Sequence, residues 1–354
     1  MRQRPAQLPW GPIAFAFLLL YPLPFLGNVV PFLFNPAVGA QLTNLFIFGI
    51  LALGLNVVVG NAGLLHLGIG AFFGIGAYLA AIVTIPSYPF QWGFTAALII
   101  ATLGAAFISV LLAAPTLRLR GDYLALVTLG FGEVARYTLQ NLDAITGGNE
   151  GLNPIPPPKF DMGMVNWKGN YVGYYYLALV LMIGIWWMLR NLERSRIGRS
   201  WVALREDELA ANCMGLNPAR LKLAAFALAS GIAGFAGCLY AFKLGNTSTP
   251  STYDFNRSIF PLCCLILGGL GNRNGVLVGV LLIFGFEFII APAVDNYLQS
   301  VVQSSKDYMR LSQWKLMLFG LVLILTMRFR PAGLLPSSRM KHELEPTPTP
   351  EAKS

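Results

Sequence analysis

The chain has 354 residues, of which 55% are hydrophobic and only 12% charged, and its mean hydropathy is +0.60. Soluble domains carry roughly 25% charged residues, so a soluble globular fold is excluded. The formal net charge of +9 comes from basic residues in short loops between apolar runs, where they orient a membrane protein rather than grip nucleic acid.

Apolar windows of about 20 residues, long enough to cross about 30 Å of hydrocarbon, recur from the start. "MRQRPAQLPWGPIAFAFLLL" opens on basic residues and continues into an apolar stretch too long for a signal-peptide core, which predicts an uncleaved first helix over 12–33. The competing cleavage reading rests on a weak site at "VGA", 38–40. Further spans are predicted at 38–59, 63–85, 91–114, 122–140, 171–190, 219–242, 257–271, 275–294 and 313–328. These segments, about ten with some short or interrupted, give an all-α, polytopic integral membrane protein over 1–336. An even number of crossings puts both termini on one side. Most of the 25 lysines and arginines fall on that side, so the termini are expected to be cytoplasmic. On this threading 191–218 is the longest cytoplasmic loop and 141–170 a proline-rich outer loop, either docking surface or tether. The tail 337–354, "KHELEPTPTPEAKS" at its end, is expected to be disordered.

Two spans are irregular. Residues 257–271 provide about 22 Å of helix before "GGLGNRNG", too little for a full crossing. Residues 61–76, "NAGLLHLGIGAFFGIG", are glycine-rich and predict a broken or re-entrant stretch, a feature of substrate paths in transporters. Gly63, His66, Gly70 and Gly74 are therefore path candidates. Close helix packing is the safer reading of Gly70-x-x-x-Gly74 and of Gly271-x-x-x-Gly275-x-x-x-Gly279. His66, near an inner helix end, is expected to play a hydrogen-bonded structural role rather than relay protons.

Ionisable groups inside spans are costly and usually functional. Glu133 and Glu287 lie about 16 and 18 Å along their helices from the cytoplasmic side. Arg136, three residues from Glu133, offers it a local ion pair. Glu287 has no such neighbour and is expected to bond to a facing helix. Direct contact with a zwitterionic solute is the second reading of both carboxylates. Cys213, Cys238, Cys263 and Cys264 have neither metal-ligand spacing nor histidine neighbours, so no metal site is expected.

The loop 191–218 is written as helix, stop, restart. Ser200 is expected to cap a short helix over 200–215, with Trp201, Leu204 and Ala211 near one face and Arg205, Glu206, Asp207 and Glu208 as a charged cluster. Gly215 suits the left-handed helix end, Asn217 the next cap and Pro218 the first helical position. Three consecutive acids argue against an anionic lipid surface. A rigid peg for a cytoplasmic partner is the expectation, with Trp201 and Leu204 as apolar anchors and the charged cluster as its rim.

Ala210, Ala211 and Gly215 are similar to the signature loop of ATP-binding-cassette import permeases, although Leu209 stands where that loop has glutamate. Five ordered blocks carry a wider resemblance: "GLNVVVGNAGLLHLGIGAFFGIGAY", "LRLRGDYLALVTLGFGEVAR", "ITGGNEGLNPIPPP", "IGRSWVALREDELAANCMGLNPARLKLAAFALAS" and "LILGGLGNRNGVLVGVLL". Together they resemble the membrane permease subunit of bacterial high-affinity branched-chain amino acid importers. Urea, short-amide and other amino acid importers use similar permeases. The resemblance implies cytoplasmic ATP-binding subunits, a second homologous permease and a periplasmic substrate-binding protein as partners, in the bacterial inner membrane. With no Gly-x-x-x-x-Gly-Lys-Ser/Thr loop in the sequence, no nucleotide cofactor and no enzymatic activity are expected of the chain itself. The rival function is an ion-coupled secondary transporter, and a membrane scaffold is a third.

Overall fold

A computed structural model of the chain describes residues 36–116, 122–158, 171–295, 311–330 and 333–335. The predicted first span at 12–33 and the tail lie outside these residues, among which there is no strand. Helix α1, Pro36–Asn56, loosens into a wide turn at Val57–Asn61 and stops. The chain then runs without helix to α2, Ile69–Thr84. Next come α3, Phe94–Thr116; α4, Asp122–Asn141; the short α5, Asp143–Thr146; and α6, Tyr171–Arg194. Helices α7, Arg196–Glu206, and α8, Glu208–Cys213, precede the long α9, Pro218–Leu244. The remainder is α10, Asn256–Gly268; α11, Arg273–Gly285, prolonged by a wide turn at Phe286–Ile290; and α12, Lys315–Phe329.

Among the described residues, five helical stretches are long and apolar enough to cross a membrane: Val38–Asn61, Phe94–Thr116, Val172–Arg194, Pro218–Leu244 and Arg273–Asp295. The predicted span 63–85 is helical only from Ile69, and the short segment at 257–271 is a helix of 13 residues. That is about 20 Å, so α10 ends partway across.

Helices α1 and α9 form the core, since nearly every position of α1 is buried whichever way it faces. Phe48 of α1 stacks on Phe284 at 4.7 Å and on Phe73 at 5.7 Å, tying α1 to α11 and α2. Lipid tails are as apolar as leucine, so packing rather than water exclusion must hold such helices together. Small residues supply it. A Cβ on Gly76 would lie 2.2 Å from the Gly234 carbonyl oxygen, so α2 and α9 meet backbone to backbone. Gly275 and Gly279 likewise face the α10 backbone at Gly268 and Cys264, as the glycine spacing implied. By contrast α3 presents Ile99, Leu103, Phe107 and Leu111, one residue per turn, as an exposed apolar ridge.

Contacts among the described loops gather them at two ends. At one end Arg205 reaches Gly60, Gly271 N donates to Asn56 Oδ1 at 3.1 Å, and Arg273 pairs with Glu193 at 2.9 Å. Segments 57–68, 191–216 and 269–274 therefore share that end. At the other end Ile155 N donates to Gly245 O at 2.8 Å, and Tyr88 Oη to Ile145 O at 2.6 Å. The described part of the 141–170 loop thus packs down on its neighbours and is not a free tether; residues 159–170 lie outside the described residues.

Candidate functional site

The break after α1 and the 196–213 helices form one bonded unit. Buried backbone groups must find partners, and here other helices provide them. Leu67 N donates to Thr128 Oγ1 at 3.0 Å and Gly70 N to Ser258 Oγ at 2.9 Å, which satisfies the start of α2. Gly74 lies against the Tyr253 ring, where a Cβ would come within 2.7 Å. Gly70 and Gly74 therefore act as close-packing positions.

The charged loop differs from its sequence reading in four respects. Its cap is Ser195, whose Oγ accepts from Gly198 N at 3.3 Å, and not Ser200, whose hydroxyl donates to Arg196 O at 2.9 Å. The expected single helix over 200–215 is two. Asp207 adopts extended backbone, and its carboxylate accepts from Leu209 N at 2.8 Å and Ala210 N at 3.0 Å, starting α8 afresh. Trp201 is 2% exposed, with its indole N–H donating to Leu221 O at 2.9 Å, and Leu204 is buried beside it. An amphipathic helix turns its apolar face to the nearest apolar surface, here α9 of the same chain. Neither residue is free to enter another protein. Finally, two members of the charged cluster point inward. Arg205 donates through Nη1 to Gly60 O at 2.6 Å, and Glu208 pairs with buried Lys222 at 2.8 Å. Glu206 and Asp207 stay exposed. Other expectations hold: Gly215 has φ +83°, Asn217 Oδ1 accepts from Arg220 N at 3.2 Å, and Ala211 is buried.

Restarting the helix at Asp207 changes its phase and turns a second apolar set outward. Leu209 is 65% exposed and Met214 83%, beside exposed Ala210 and Asn212. The sequence reading missed both. The signal was present: an acid followed by the backbone N–H groups of Leu209 and Ala210 is an N-cap pattern that resets helical phase.

Gly63, at φ +69°, lies directly under Arg205, where a Cβ would come 2.6 Å from Cγ. His66 is fully enclosed, 5.6 Å from the Phe72 ring and 5.0 Å from Phe226. Against expectation, neither of its ring nitrogens has a hydrogen-bond partner among the described residues. Of the nearby hydroxyls, Thr128 accepts from Leu67 N and donates to Ala125 O, and Ser109 accepts from Ser230. Glu133 pairs with Arg136 at 2.9 Å, the local pair its spacing implied. Glu287 pairs across helices with Lys315 at 3.0 Å. The two carboxylates are thus held in separate pairs.

This arrangement joins the α7–α8 pair at one end to the break that follows α1, through the Arg205–Gly60 hydrogen bond. The profile of a family described as "Branched-chain amino acid transport system / permease component" matches residues 38–327. The chain is 38% identical over 349 residues to the high-affinity branched-chain amino acid transport system permease protein LivM of Escherichia coli (strain K12), covering 93% of this chain and 77% of that protein. It is 25% identical over 301 residues to permease protein BraD of Pseudomonas aeruginosa, covering 81% of this chain and 91% of the relative. A galactose/methyl galactoside import permease of Haemophilus influenzae matches at 24%, over only 46% of this chain and 47% of that protein. No solved structure matches the chain.

Proposed function

Because the chain belongs to the branched-chain amino acid transport system permease family, we propose that it carries branched-chain amino acids through the inner membrane as one permease subunit of an ATP-binding-cassette importer. The observation that carries this reading is the 38% identity sustained over 93% of the chain with a branched-chain amino acid permease. The likeness to a sugar permease is confined to under half of either protein, which favours amino acids over sugars.

In this reading the chain cannot power transport, and cytoplasmic ATP-binding subunits dock on the α7–α8 pair. Leu209 and Met214 are the apolar anchors, Glu206 and Asp207 the rim, and buried Trp201 and Leu204 fix the pair to α9. Movement of the pair reaches the membrane interior through Arg205, whose side chain holds the Gly60 carbonyl. A companion permease completes the pore, a periplasmic binding protein delivers the solute, and both termini face the cytoplasm. An ion-coupled mechanism finds no support, since Glu133 and Glu287 are each held by their own basic partner.

Uptake of labelled leucine, urea and ribose by cells expressing the chain with its neighbouring transport subunits tests the solute. Leucine uptake suppressed by excess isoleucine and valine is the expected result. Transport of urea alone would overturn the solute assignment.

A further inference from the structure

A cavity of about 310 Å³ opens where α10, the end of α11 and the start of α12 meet, lined by Thr252, Asp254, Arg257, Phe260, Glu287 and Lys315 among others. It lies toward the end opposite the α7–α8 pair. Its four ionisable groups sum to zero formal charge, which suits a solute bearing one positive and one negative group and disfavours a net ion.

The two groups of interest are held yet incompletely used. Arg257 donates through Nε to Thr252 O at 3.0 Å, and its guanidinium carbon lies 5.0 Å from the Phe48 ring centre. Its terminal nitrogens have no carboxylate partner among the described residues. A guanidinium fixed this way presents a fork matched to a carboxylate. Glu287 receives Lys315 on Oε1 at 3.0 Å, while buried Oε2 has no hydrogen-bond partner among the described residues. An unsatisfied buried carboxylate oxygen is costly, so it marks a position where a donor arrives. Phe260 and Leu316 add apolar wall.

We propose that this cavity is a transit subsite for a zwitterionic α-amino acid, in which the Arg257 fork takes the α-carboxylate, Glu287 Oε2 takes the α-ammonium, and Phe260 and Leu316 meet the apolar side chain. This rests on the amino acid importer reading above and adds the residues that receive the solute after its binding protein releases it. Lys315 keeps Glu287 oriented while the subsite is empty.

The test uses the full importer in proteoliposomes with its binding protein, carrying either Arg257→Lys or the charge swap Glu287→Lys with Lys315→Glu. Arg257→Lys keeps the charge and the ring contact but removes the fork; the swap keeps an ion pair but reverses its direction. Both variants are expected to assemble and to retain binding-protein-stimulated ATP hydrolysis, while leucine moved per ATP falls about tenfold or more, the loss of one charge-assisted hydrogen bond. An unchanged leucine-to-ATP ratio in either variant overturns the subsite. So does failure of both to assemble, which would make the cluster a structural brace. Failure of the unmodified importer to move leucine is a separate result and strikes the solute assignment instead.

Discussion

At the residue scale, the distinction that matters is between side chains that hold the α7–α8 pair in place and those that meet a partner. Trp201 lies inside the chain and donates to Leu221 O, so its truncation leaves a void and removes that hydrogen bond. Trp201→Ala is expected to cost about 3 kcal/mol or more of stability, read as a lowered melting temperature of the detergent-solubilised chain. Met214→Asp alters an exposed side chain and should change stability by less than about 0.5 kcal/mol, yet sharply reduce copurification of the ATP-binding subunits. If Met214→Asp leaves copurification intact while Trp201→Ala abolishes it without destabilising the chain, the assignment of anchor and brace is reversed. Sequence alone identified Trp201, Leu204, Arg205 and Glu208 as special but gave them outward roles. Periodicity reports that a face is apolar, not whether its cover is the same chain or another. Packing of Trp201 on α9 decided this, while the restart capped by the Asp207 carboxylate turned Leu209 and Met214 outward instead.

At the element scale, the central device is the bond from α7 to the break that follows α1. Arg205 Nη1 grips Gly60 O where the helical ladder has widened and its carbonyls no longer pair regularly. Hydrogen bonds involving a charged group are worth about 1.5–3 kcal/mol, enough to couple two elements without locking them. Arg205→Met is expected to leave the importer assembled but to uncouple it, with hydrolysis no longer stimulated by loaded binding protein. Stimulation that survives intact would show that movement enters the membrane by another route. Gly63 supports the same contact, because any Cβ there would push into Arg205 and its φ of +69° disfavours other residues. Gly63→Val should therefore reproduce the Arg205→Met phenotype. The glycine-rich interruption at 61–76 and the short α10 were both legible in the sequence, since composition and length report directly on helix continuity. The Lys315 partner of Glu287 was legible only as a need, because 28 residues separate the two and nothing local encodes their meeting.

At the scale of the whole molecule, the all-α membrane architecture followed from hydropathy alone, and contacts among the described loops gather 57–68, 191–216 and 269–274 at one end. Sidedness adds a direct check, since Cys213 is exposed whereas Cys238, Cys263 and Cys264 are buried. A membrane-impermeant maleimide is expected to label Cys213 from the cytoplasmic side only, and a cysteine replacing exposed Asn246 from the periplasmic side only; the opposite pattern would invert the orientation. The central claim is that this chain forms part of an ATP-driven amino acid path and not an ion-driven one. The measurement that tests it most directly is leucine uptake in cells whose ATP has been depleted while the proton gradient is maintained. The account predicts that uptake stops; uptake that continues on the gradient alone would contradict it.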